Sequence, residues 1–460
     1  MTNPHIRPTT IGLALLAGVT GQAWAAEEDD RQRGQAAAKG FIEGQSLTLS
    51  TRNFASREQK HGRFIFKIPK DDGYEPTHSR RTWVQGNILQ YSSGYTRGTV
   101  GFGLDVGAFH ALNLERGKGV VAGGSNRTLT DSDGRPLDEW SKLGVANLRL
   151  RLSNSELRAG RFQVETPVLA TIDNRALPST FRGVGLTSSE LTGLRLQAGS
   201  FDRVSPRTGA GDEKLTTTYG DRKAKGDRYS YLGGTYRATP NLSLSAYGGE
   251  FEDIWRQYYL GFSHDLGDPD VLALHTRFDG YSTRDAGSRK AGYIDNDTWS
   301  LAFTLARGAH SLMAGWQQVD GDEYFDYVNE TAAIYLVNYL QSDYNGPNEK
   351  SAQLAYGTDW ARYGIPGLSS TLWYAKGWGI DGTRYDGDRN GAHGSYAEVR
   401  KQDGERHREL GMTLAYKIQD GPLKSSSIKL TYRRHRASQN QADGSIDDVR
   451  LITTLPFNLL

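Results

Sequence analysis

The sequence predicts an all-β fold: an 18-stranded antiparallel transmembrane β-barrel with an inward-folded third loop. Three observations lead there. First, apolar and polar residues alternate over long runs. From 100 to 114, Val100, Phe102, Leu104, Val106, Ala108, His110, Leu112 and Leu114 alternate with Gly101, Gly103, Asp105, Gly107, Phe109, Ala111 and Asn113. This run exceeds the roughly five or six residues of a usual globular strand and covers the roughly 9–11 that a tilted strand needs to cross a bilayer. Second, connections alternate between two sizes. Eight short turns lie near 92–98, 153–156, 188–193, 239–241, 264–269, 307–309, 364–367 and 420–425. Nine mostly longer connections lie near 57–82, 115–141, 166–185, 202–228, 249–256, 281–297, 319–350, 379–406 and 435–447, and nine hairpins joined by eight turns make 18 strands. Third, the chain holds 55 glycines and 24 tyrosines, and only 37% of it is hydrophobic, as expected of a wall whose lumen face is polar.

In chain order, His5 and Arg7 precede an apolar run at 11–19, and Ala23-Trp24-Ala25 gives a small-x-small cleavage pattern. Residues 1–25 therefore read as a secretory signal peptide, 26–40 as a charged lead-in, and 41–460 as the barrel. No later run approaches the roughly 18 apolar residues of a spanning helix. The C-terminal residues Val449, Leu451, Thr453, Leu455, Phe457 and Leu459 alternate to the end, with Pro456 expected to break the ladder late. This last strand is expected to pair with the first, because open sheet edges are not tolerated in lipid. Short turns on one side and long charged loops on the other point to the bacterial outer membrane, with lipid and lipopolysaccharide around the wall.

Residues 166–185, TPVLATIDNRALPSTFRGVG, interrupt the alternation. A connection of about 20 residues that keeps Val168, Leu169, Ile172, Leu177 and Phe181 reads as an ordered, functional loop that folds into the barrel and narrows it. Asp173, Arg175 and Arg182, with Tyr335 from a later loop, are the candidate constriction residues.

Parity sorts the wall. Leu148, Leu150 and Leu152 face lipid, so Arg149 and Arg151 face the lumen, since an arginine in midplane lipid would cost about 2–4 kcal/mol. The same argument places Arg52, Arg195, Arg277, Lys429 and Arg433 inside. A row of cations makes a pore anion-selective, and arginine binds a carboxylate through two parallel hydrogen bonds. The alternative is that lumen acids such as Asp105 and Asp279 neutralise individual members of the row. Tyr324, Phe325, Tyr327, Tyr335 and Tyr339 divide between lining a narrowing for a ring-shaped substrate and joining the interfacial girdle, while Trp83, Trp255, Tyr258, Tyr259, Trp316 and Trp373 read as girdle.

A net charge of +2 gives no support for nucleic-acid binding, and the absence of cysteine excludes disulfides and thiolate sites. No nucleophile elbow, zinc motif or phosphate loop is present, so neither an enzyme nor a cofactor is expected. An outer-membrane hydrolase would need a Ser–His pair on the wall, and a sugar channel an aromatic slide; the cations are the stronger pattern.

KGFIEGQSLTLSTRNF, SGYTRGTVGFGLDV, LPSTFRG, EFEDIWRQYYLGF, DNDTWSLAFTL, DYNGPNEKS, YGIPGL and the terminal VRLITTLPFNLL resemble the OprD family of outer-membrane carboxylate channels. The resemblance covers essentially the whole mature chain. It implies a mainly monomeric barrel for passive uptake of small carboxylates. On matching positions it implies a basic ladder of Arg52, Arg149, Arg151, Arg182, Lys429 and Arg433, with Arg175 added from the loop. The chain departs from the family pattern at Ala415 and Thr431, where further basic residues are usual, and at Ala332, where a branch for basic amino acids and peptides carries an acid. LPSTFRG and the shortened seventh loop look more like the branch that takes aromatic acids such as benzoate.

Overall fold

The alternating segments pair into one continuous antiparallel sheet closed on itself. In the computed structural model, residues 34–70, 73–115, 137–220 and 223–460 are described; the predicted signal peptide lies outside them. Among the described residues the barrel strands are β1 (Ser46–His61), β2 (Ser79–Ser92), β3 (Val100–Asn113), β4 (Glu139–Leu152), β5 (Ser155–Phe162), β6 (Thr180–Ser188), β7 (Leu194–Ser205), β8 (Tyr229–Thr239) and β9 (Leu242–Phe251). They continue as β10 (Trp255–Asp268), β11 (Leu272–Asp285), β12 (Asp295–Arg307), β13 (His310–Asp320), β14 (Lys350–Asp359), β15 (Leu368–Ile380), β16 (Glu405–Lys417), β17 (Ser427–Ala437) and β18 (Ser445–Asn458). The barrel thus has 18 strands, each paired with its chain neighbours. It closes where β18 runs antiparallel to β1, from Thr48↔Asn458 to His61↔Ser445. Closure leaves no edge that would expose unpaired backbone to lipid.

Period-two patterning fixes which face each residue takes. On β3, Phe102 and Val106 are exposed outward while Gly101, Asp105 and Phe109 are buried inward. The short turns fall on one rim and the long loops on the other, as the connection lengths predicted.

Three expectations change. The in-folded loop is 163–179, because Thr180–Ser188 is already strand: Val184 and Leu186 alternate with glycines that leave room for Phe162 and Phe201. Pro456 does not end the ladder. It stands opposite Ser50, and β17 pairs with β18 only as far as Thr454, so a residue without an N–H is tolerated there. Trp83 and Tyr258 do face outward, but Trp255, Tyr259 and Trp373 point inward and are buried. Trp255 and Tyr259 pack beneath the loops folded into the lumen.

Candidate permeation pathway

The loop after β5, L3 (residues 163–179), folds as a finger bonded to itself. Thr166 Oγ1 donates to the Leu169 carbonyl at 2.8 Å and accepts from the Leu169 amide at 3.0 Å, closing a turn around Pro167. Further along, the Thr171 amide donates to Val164 O at 2.7 Å and the Ser179 amide to Ile172 O at 3.0 Å. The finger's two apolar ends reach opposite walls. Val168 and Leu169 pack with Phe181, Phe201, Tyr231 and Phe251, whereas Ala176 and Leu177 pack with Phe54, Val84 and Phe109. Each fully buried leucine contributes about 1.5–3 kcal/mol to holding L3 across the lumen.

A second loop, L7 (residues 321–349), docks edge-on against L3. The Ala170 amide donates to Thr331 Oγ1 at 2.8 Å, Thr331 Oγ1 donates to Ala170 O at 2.7 Å, and Ser179 Oγ donates to Glu330 O at 2.8 Å. Tyr335 stands at the same seam. Its hydroxyl donates to Glu165 at 3.1 Å, its amide donates to the Tyr281 hydroxyl at 3.0 Å, and its ring lies 5.5 Å from the Arg277 guanidinium. Tyr324, Phe325 and Tyr327 are buried in this packing, a role that differs from both the lining and the girdle expected of them.

The two loops meet β17 and β18 around a small cavity, and L3 is fastened to β1 beside it. There Arg52 binds both oxygens of Asp173, at 3.0 Å for one of them, and donates to Arg175 O at 2.9 Å. Arg433 and Arg450 both hold Asp448, with Nε–O distances of 3.0 Å each. Arg207 donates to Asn174 at 2.6 Å and lies 3.5 Å from Glu330. The cavity, of about 150 Å³, is lined by Asn174, Arg207, Tyr339, Arg433 and Arg450 with Glu330 and Asp343. Arg175 shows the local excess of positive charge. Burial first, and the neighbouring Arg207 and Arg450 guanidinium groups next, pull its pKa down to about 9, still charged at neutral pH. Further along β17, Lys429 faces the lumen with its side chain exposed, opposite the small Ala415.

Beyond the constriction, toward the short-turn rim, a cavity of about 490 Å³ is lined by Arg149, Arg151, Arg158 and Arg195 with Glu156 and Glu165. The lead-in enters its mouth: Gln35 donates to Thr96 O at 2.8 Å and accepts from Arg151 at 3.2 Å. Arg149 is spent on Asp105 at 3.2 Å and on the Tyr95 ring at 4.6 Å, and Arg277 on Asp279 at 2.7 Å. For these two the neutralised alternative holds.

The structure therefore places Arg433 on the cavity, bonds Arg52 to Asp173 and to the Arg175 carbonyl on the L3 segment beside it, and sets Tyr335 at the loop seam. It places Arg149, Arg151 and Lys429 on the lumen wall away from that cavity. Arg182 is a correction. It shares the outward parity of Val184 and Leu186 and pairs on the outer face with Asp202 at 2.6 Å. Sequence reasoning missed Arg207, which lies in a long loop, and Arg450. Arg450 carried the same signal as Arg149, since Val449 and Leu451 flank it on the lipid face.

Comparison with known proteins now bears on this arrangement. Residues 39–459 match the family model described as outer membrane porin, OprD family. The chain belongs to the OprD family. It is 38% identical to Porin D of Pseudomonas aeruginosa, over 98% of this chain and 99% of that one. The crystal structure of Pseudomonas aeruginosa OccD3 (OpdP) is 58% identical with a TM-score of 0.82, covering 93% of this chain and 94% of that one. That of Pseudomonas aeruginosa OpdK with vanillate is 30% identical with a TM-score of 0.77, covering 91% and 100%. As an OprD-family porin, the chain is an outer-membrane channel for small molecules.

Proposed function

We propose that this porin passes small carboxylates, handed from Arg207 and Arg450 to Arg433, Arg52 and Lys429 along one wall. The observation that carries the reading is the crowding of Arg207, Arg433 and Arg450 around the cavity between L3, L7 and the wall, with Arg175 and Arg52 beside them. A fixed cationic surface in a narrow lumen binds a carboxylate in stages, each weak enough for release.

Aromatic acids such as benzoate are one class within this reading, supported by the LPSTFRG motif and the likeness to the vanillate-bound OpdK structure. A second class is favoured by a specific feature. Glu330 and Asp343 line the same cavity as Arg207, Arg433 and Arg450, which suits a substrate carrying an ammonium group as well as a carboxylate.

Proteoliposome swelling tests both. Benzoate and amino acids should enter faster than their amides of equal size. Equal rates for acid and amide would reject carboxylate guidance. Faster entry of amino acids than of benzoate would assign the zwitterionic class, and the reverse the aromatic one.

A further inference from the structure

We propose that the outer rim formed by β15 to β18, β1 and β2 is a docking site for the phosphorylated headgroup of the outer-leaflet lipopolysaccharide. On these adjacent strands the outward residue that ends the apolar stretch on the long-loop side is charged. Lys376 follows Leu372 and Tyr374, Arg408 precedes Leu410 and Met412, and Arg434 follows Tyr432. Asp447 precedes Val449 and Leu451, and Arg81 precedes Trp83. Arg57 stands opposite Arg81, Lys376 opposite Arg408, and Arg408 opposite Arg436. The row steps down by a residue or so from strand to strand, as a level line must on tilted strands.

The acids in the strip are already engaged. Asp447 takes Arg436 through both oxygens, at 2.7 and 3.0 Å, and His61 at 2.9 Å; Glu115 takes Arg81 at 2.9 Å. Among the described residues, no acid lies within ion-pair distance of Arg57, Lys376, Arg408 or Arg434, and all four are exposed. The long-loop rim is built differently on the other side of the barrel. There Arg161, Arg182, Lys214, Arg256 and Arg284 each hold an acid: Asp212, Asp202, Asp227, Glu250 and Asp297.

Like charges placed side by side across a sheet repel, so the strip is unfavourable until an external anion sits on it. It lies where the apolar band gives way to the headgroup layer. Arginine meets phosphate through two parallel hydrogen bonds, and the adjacent hydrocarbon strengthens each of them. The apolar residues directly below, Tyr374, Leu410, Met412, Val449 and Leu451, fit the acyl chains of the same molecule. This combination selects a phosphorylated lipid over free phosphate.

Native mass spectrometry of the full chain in detergent, titrated with bisphosphorylated lipid A, tests the site. Replacing Arg57, Arg408 and Arg434 together by Gln should weaken retention of the lipid by about tenfold or more. The matching change of Lys214, Arg256 and Arg284 to Gln, on the same rim at the other side of the barrel, should leave retention unchanged. Lipid A stripped of its phosphates should bind wild type no better than it binds the triple variant. Heat-modifiable migration in gels and unaltered single-channel conductance establish that each variant is folded. Wild-type retention by the folded strip variant, equal losses in both triple variants, or undiminished binding of the dephosphorylated lipid would each overturn the proposal.

Discussion

Arg52, on the first strand, grips Asp173 of the in-folded loop through both carboxylate oxygens. The same guanidinium bonds the Arg175 carbonyl two residues on, so a cation proposed to guide the permeant also fastens L3 to the wall. The side chains of the pair are 17% and 42% exposed, so the bond is worth about 0–1 kcal/mol and leaves L3 to be held by its buried leucines. Asp173→Asn should therefore leave the melting temperature nearly unchanged and raise the anion preference, by freeing a guanidinium. Reversal potentials in a salt gradient measure the second effect. A fall in anion preference would contradict this account.

Gly86 sets how closely L3 approaches the wall. A Cβ there would collide with the carbonyl of Ala176. Gly86→Val should push L3 away from β2 and destabilise the barrel by about 1–3 kcal/mol, the usual cost of overpacking. Single-channel conductance should change with it, and unchanged conductance would show that L3 does not set the opening.

Arg182→Ala should leave ion selectivity unaltered, because its side chain lies on the outer face with Asp202. A selectivity loss equal to that of Arg433→Gln, read as reversal potential, would return Arg182 to the pathway.

L7 carries buried acids whose protonation is linked to its packing. Burial pushes Asp326 up to about 7, against hydrogen bonds from the Tyr327 and Thr218 amides and the Tyr396 hydroxyl. Burial likewise raises Asp343 to about 6, although the Tyr219 and Tyr327 hydroxyls donate to it. In the unfolded chain both titrate near 4. Between about pH 4 and 7 the folded loop thus holds protons that the unfolded chain has released, and stability falls as pH rises through that window. Amide exchange in L7, corrected for its intrinsic pH dependence, should be faster at about pH 8 than at about pH 5. Slower exchange at the higher pH would reverse the sign of the linkage.

Much of this structure is legible in the sequence, because a barrel wall obeys one rule. Leu148, Leu150 and Leu152 commit Arg149 and Arg151 to the lumen whatever the rest of the chain does, and the connection lengths give the strand number. The rule fails where a strand begins unnoticed. Taken as loop, Arg182 looks like a lining residue; taken as strand with Val184 and Leu186, it faces out. It also says nothing about pairing. That Arg149 is neutralised by Asp105 depends on the register of β3 against β4, and that Arg175 is crowded by Arg207 and Arg450 depends on how L3 folds across the lumen. The contacts that dock L7 on L3 join residues more than 150 positions apart, such as Ala170 with Thr331.

The most direct measurement is the reversal potential of single channels in a salt gradient, for wild type and for Arg52→Gln, Arg433→Gln and Arg450→Gln combined. Wild type should be anion-selective, and the triple variant should lose that preference while keeping an open, folded barrel. A triple variant as anion-selective as wild type would contradict the claim that these guanidinium groups guide the permeant.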